Sequence, residues 1–160
     1  MRYTFGHTDM AAERLKNIAD FFNPFSRQWT KMIDQGGSIV VDELEDVETT
    51  IPVFKKYLRI NEGLINSQGA VLYVGRILDN CISGFKVQEN KSDSIVVANR
   101  VAAGWFYRNT QSIWETERFI KNTIRENERK KIAEELLGFI HSGNNHSNIT
   151  WKMKRIIITS

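Results

Sequence analysis

Gln35-Gly36-Gly37-Ser38-Ile39-Val40-Val41-Asp42-Glu43-Leu44-Glu45-Asp46 carries three local instructions in succession. The adjacent glycines let the backbone reach the left-handed region that ends a helix. Ser38 to Asp42 is then β-branched and apolar without polar alternation, the pattern of a strand covered on both faces. The acidic run from Asp42 to Glu48 reads as the loop leaving that strand. Helix, turn and covered strand in this order predict an α/β fold.

Upstream, Thr8 or Asp9 can cap a first helix whose Leu15, Ile18, Ala19 and Phe22 share one face, and Asn23-Pro24 stops it. Ser26 caps a shorter helix carrying Trp29, Met32 and Ile33, which ends at the glycine pair. Downstream, Thr49 or Thr50 with Pro52 opens a helix striped by Phe54, Tyr57, Leu58, Leu64 and Ile65. The pattern predicts a further helix over Leu72 to Ile82, a strand at Phe85 to Gln88, and a polar connection from Glu89 to Ser94. A helix is expected from about Ile95 to Trp114, followed by two more around Phe119 and around Ile132 to Ile140. Ile149 to Thr159 alternates and then becomes wholly apolar, as a terminal strand half exposed and then buried would.

A chain of 160 residues accommodates one domain, 1–160, divided into N-terminal helices over 1–34 and an α/β remainder over 35–160. Its 41% hydrophobic and 26% charged residues fit a globular protein rather than a disordered one. No stretch approaches the roughly 20 apolar residues of a membrane span, and Met1 to Met10 has no apolar signal core, so a cytoplasmic protein without membrane contact is expected. Cys81 is alone, which removes a disulfide framework and leaves a small apolar filler. The net charge of +3 is weak grounds for nucleic-acid binding. The basic stretch Arg125 to Lys131 is interrupted by Glu126 and Glu128 and reads as a solvated face with internal ion pairs. His7, His141 and His146 lack metal-ligand spacing, so no metal is assigned.

The order of segments resembles small class I S-adenosylmethionine-dependent methyltransferases. The resemblance is carried by Arg2-Tyr3-Thr4-Phe5-Gly6, Ala11-Ala12-Glu13-Arg14-Leu15 and Phe22-Asn23-Pro24, then by Trp29 to Glu45, which is similar to the helix, Gly-Gly turn and fifth strand of that fold. It continues through Pro52 to Tyr57, Tyr73-Val74-Gly75-Arg76-Ile77-Leu78 and the closing strand Trp151 to Ile158. One departure stands out. Phe25-Ser26-Arg27 runs almost directly into the helix before the fifth strand, so the first four strands, with the family's Gly-rich turn and ribose-binding acid, are missing. None of the ten glycines forms a Gly-x-Gly, and Gly36-Gly37 precedes a strand instead of joining a strand to a helix. The expected fold is therefore a truncated Rossmann-like α/β arrangement of about three strands with a helical cap.

The resemblance implies S-adenosylmethionine as cofactor and a small molecule as methyl acceptor. Tyr3 and Phe5 would cover the cofactor, and the acceptor would lie near Asp42, Glu43 and Glu45, at the carboxyl end of the covered strand where open α/β sheets place ligands. Glu43 would act as general base. Arg76 would contact an anionic acceptor or pair with the acidic run, and Trp105 would line an acceptor pocket or belong to the core. Methyl transfer depends on holding the methyl donor in line with its acceptor, worth about 7–11 kcal/mol of barrier when done well, so an incomplete pocket predicts weak or absent activity for the chain alone. The alternative is a non-catalytic ligand- or protein-interaction module derived from a methyltransferase. Loss of the strand that would neighbour Ile39-Val40-Val41 also leaves an apolar edge, which predicts a homo-oligomer.

Overall fold

The computed structural model describes residues 38–142 and 145–159, together with Asp20. The two predicted N-terminal helices, the glycine pair, Tyr3 and Phe5 lie outside the described residues. The chain enters at β1 (Ser38–Thr49) and continues through α1 (Pro52–Ser67), a 3-10 turn (Val74–Arg76), α2 (Leu78–Cys81) and β2 (Lys86–Val97). It then passes through α3 (Asn99–Thr110), α4 (Ile113–Thr116), α5 (Arg118–Thr123) and α6 (Glu126–His141) into β3 (Ile149–Thr159).

The described strands form one three-stranded sheet in the order β1-β3-β2. Both hydrogen-bonded pairs are antiparallel. The α/β class and the strand number agree with the sequence, whereas the parallel neighbours of a Rossmann-like sheet are not present among these strands. The reason is the last strand: β3 returns from α6 and inserts between β1 and β2, which point the same way and are joined through α1.

Strands proved longer than apolar content suggested. The acidic residues Asp42 to Glu48 belong to β1, not to a loop beyond it, and the run from Glu89 to Ser94 lies inside β2, not in a connection. Both are the outer strands among those described, and outer strands tolerate charged side chains. The sequence Ile95-Val96-Val97 completes β2, so the following helix begins at Asn99. Its start is fixed from outside: the Asn99 amide donates to the His146 carbonyl at 2.8 Å, and Asn99 Nδ2 donates to Asn148 Oδ1 at 2.9 Å. The Asn148 amide donates back to Asn99 Oδ1 at 2.8 Å, clamping α3 to the entry of β3. The helix expected over Leu72 to Ile82 is broken into the 3-10 turn and the single turn of α2.

One face of the sheet bears the core. Val47, Ile95, Val97, Ile149 and Trp151 project from it into a cluster with Phe54, Tyr57, Phe106, Trp114, Ile132 and Leu136 of the helices. Tyr57 stacks on Phe106 at a centroid distance of 4.1 Å and on Trp114 at 5.5 Å, while Phe54 meets Phe106 edge-on at 5.4 Å. Full burial of such side chains is worth about 1.5–3 kcal/mol each. The opposite face carries the 3-10 turn and α2. No helix among the described residues is long and apolar enough to cross a membrane. Cys81 is exposed at the end of α2 and is not the core filler its solitary position suggested.

Candidate functional site

The face of the sheet turned away from the core holds an open cleft of about 510 Å³ lined by Glu45, Asp46, Arg76, Ser92, Ser94 and Lys152. Three strands and the 3-10 turn supply these groups, and Gly75 sets their spacing. A Cβ at Gly75 would lie 2.8 Å from Glu45 Cα and 2.9 Å from both Glu45 N and Lys154 Cβ, so only glycine lets the turn come this close to β1. At the same place the register between β1 and β3 shifts across Leu44 and Asp46, leaving Glu45 as the extra residue of a bulge.

That close approach positions Arg76. Its Nε–H donates to the Glu45 carbonyl at 3.0 Å and its Nη2 to Asp46 Oδ1 at 2.6 Å, while the guanidinium lies 4.1 Å above the centre of the Tyr73 ring. The Val47 amide also donates to Asp46 Oδ1, at 2.8 Å, so this carboxylate is held from two directions. Tyr73 is buried, and its phenol is pushed up to about 12, first by burial and then by the charges of Glu62 and Asp46, with Arg76 opposing. It stays protonated at neutral pH and is no candidate base. Lys152 donates to Glu48, which together with the nearby charges of Asp46 and Glu45 holds its amine above the usual lysine range. Paired cations, two serines and a bulged carboxylate make a site suited to a small polar ligand bound by hydrogen bonds.

Strand alternation separates the remaining candidates. Glu43 points to the cleft face, on the rung it shares with Lys154 and Ser92. Its carboxyl is raised above the usual range by partial burial, then by the neighbouring charge of Asp42. A carboxylate displaced in that direction is the stronger base, which is the property general-base work requires. Lys154 lies beneath the turn and donates to Asp79 Oδ2 at 3.1 Å. Asp79 also accepts from Asn90 Nδ2 at 2.7 Å, and these two hydrogen bonds hold its carboxyl below the usual range.

Asp42 faces the other way. Arg155, 1% exposed, donates from Nε and Nη2 to its two carboxylate oxygens, both at 2.7 Å. Asp42 thus neutralises a buried guanidinium and does not reach the cleft. Trp105 packs edge-on against Trp151 at 5.5 Å within the core, also away from the cleft. Of the residues singled out in the sequence, the fold brings together Glu45 and Arg76, with Glu43 on the same face. It adds Asp46, Ser92, Ser94 and Lys152. The two serines were hidden in a polar run read as a loop, although their spacing of two residues is itself a strand signal.

Among the described residues no cluster of His, Cys, Asp and Glu could hold a metal ion. No protein-family model matches the chain, and no curated protein or solved structure is significantly similar to it.

Proposed function

We propose that the chain is a homologue of the class I S-adenosylmethionine-dependent methyltransferases acting on small molecules, with a shortened sheet and a cofactor pocket it does not complete alone. The observation that carries this reading is the split β-α-β unit. Strands β1 and β2 run in the same direction, linked through α1, with β3 reversed between them. Two parallel strands joined through a helix are what this arrangement has in common with Rossmann-like sheets. The antiparallel strand between them is a departure that mixed sheets allow, and split units of this kind also build ferredoxin-like folds. In this reading the cleft beside Glu45 and Arg76 is the acceptor side and Glu43 is the base. The missing Gly-rich turn is the reason the donor is held poorly.

Calorimetric titration of the full chain with S-adenosylmethionine tests it. The expected result is no saturable heat at micromolar concentrations, whereas micromolar binding would contradict an incomplete pocket. The second reading, an interaction module without chemistry, is favoured by the charge pairing in the cleft, since Arg76 and Lys152 are each already engaged by a carboxylate. Methyl transfer from labelled donor to a panel of small acceptors, at high protein concentration, separates the two. Turnover abolished by Glu43→Gln supports the homologue, and no turnover under any condition supports the module.

A further inference from the structure

The two outer strands of the sheet are guarded unequally. β2 carries Lys86, Glu89, Lys91 and Asp93 along its length and a register shift between Val87 and Glu89. Charges and bulges of this kind are how edge strands avoid pairing with other chains. β1 has the same protection in its second half, where Asp42, Glu43, Glu45, Asp46 and Glu48 surround the bulge at Glu45. Its first half, Ile39-Val40-Val41, has neither charge nor bulge, and Ile39 is 64% exposed. Among the described residues this segment pairs with β3 on one side only.

The exposed apolar surface is continuous with that edge. Ile39 stands opposite Ile158 on β3, which stands opposite Val87 on β2, itself 37% exposed. One rung along on the same face, Val41 stands opposite the fully buried Ile156. An apolar band therefore crosses the sheet and, among the described residues, ends at the outer side of β1.

We propose that two copies of this chain pair antiparallel through Ser38–Asp42 of β1, with Val40 opposite Val40 on the two-fold axis. The charge pattern selects this register. Centred on Val40, Ile39 of each copy meets Val41 of the other and Ser38 meets Asp42, so no acid faces an acid and the run beyond Glu43 lies outside the paired segment. Pairing the whole of β1 would instead set Asp42 against Glu45, and Ile39 and Val41 against Glu48 and Asp46. Like charges directly opposite, and charges facing apolar side chains, both oppose such pairing. Directly opposite residues share a face, so the band Val87-Ile158-Ile39 of one copy continues into Val41-Ile156 of the other, and the reverse rung does the same. The outcome is one six-stranded sheet with an apolar centre. The occupant of the edge is a second copy because the segment complements itself, and this inference does not depend on the methyltransferase reading.

Sedimentation equilibrium of the full chain over micromolar to hundreds of micromolar concentrations is expected to show a monomer–dimer equilibrium. Ile39→Lys, at an exposed position, should give a monomer throughout that range with an unchanged circular dichroism spectrum. The register is read by disulfide trapping in a Cys81→Ser background. Opposite residues have Cα atoms about 4.5–5.5 Å apart, within the range a disulfide spans. Val40→Cys should form a covalent dimer under mild oxidation. Ser38→Cys should not, because the two copies of residue 38 are offset by about 14 Å along the strands. A monomer at every concentration, a dimer that survives Ile39→Lys, or trapping at residue 38 as readily as at residue 40 overturns the proposal.

Discussion

At Glu43 and Asp42, neighbouring acids on one strand experience opposite environments because alternation sends them to opposite faces. The Glu43 carboxyl binds its proton more tightly in the folded chain than in the unfolded one, through burial and then through Asp42. For an acid displaced upward, the folded state loses stability as pH rises from the ordinary carboxylate range through the raised value. Glu43→Gln is therefore expected to be more stable than the parent at neutral pH. That advantage should shrink on acidification and vanish below the ordinary range. Thermal melts of the pair across pH 4 to 8 on the order of half-unit steps check this, and the comparison cancels the opposite contribution of Asp79, whose lowered carboxyl loses its stabilisation as pH falls. Asp42→Asn removes the two charge-assisted hydrogen bonds that Asp42 accepts from the buried Arg155 guanidinium and should cost about 3 kcal/mol in urea unfolding. Arg155→Met, which removes the cation as well, should cost less, and a larger loss in Arg155→Met than in Asp42→Asn would contradict this account of the pair.

Among the elements, those with strong apolar periodicity were legible in the sequence. The helix from Pro52, the pair of helices around Phe119 and Leu136, and the terminal strand all lie where the pattern put them. Two of the failures share a cause. Asp42 to Glu48 and Glu89 to Ser94 are polar because they occupy edges, and a polar edge strand is indistinguishable from a loop when only hydrophobic content is weighed. The segment at Tyr73 to Leu78 failed for another reason: Gly75 is placed by contact with the backbone of Glu45, a tertiary demand that no local pattern encodes. The same demand explains why the candidate site was half legible. Glu45 and Arg76 were visible as charged residues, whereas the approach that joins them was not. Gly75→Ala is expected to push the turn off β1, detach Arg76 from Asp46, and destabilise the chain by about 1–3 kcal/mol, measured by urea unfolding. An unchanged stability would mean the turn is held by something other than its fit against the bulge.

For the whole molecule, the position of β3 orders the stability of the parts. It is the last segment in the described chain yet the middle strand of the sheet, hydrogen-bonded along both sides. Its buried residues serve both faces, with Ile149 and Trp151 turned into the helical cluster and Ile156 turned the other way. Removing it would leave β1 and β2 without a shared neighbour, so local opening of either edge leaves β3 paired, while opening β3 dissolves the sheet. Amide exchange by global unfolding follows that order. The slowest amides are expected in β3 between Thr150 and Ile157, and the fastest sheet amides in the outward-facing positions of β2. The paired half of β1 adds a concentration dependence: if a second copy covers Ile39 to Val41, outward amides there should slow as protein concentration rises while those of β2 do not change. Mass-resolved exchange at two concentrations reads both effects together. Protection that is greatest in α3 and α6 would place the last-opening unit in the helical layer, and would make the sheet a dependent of those helices instead of their platform.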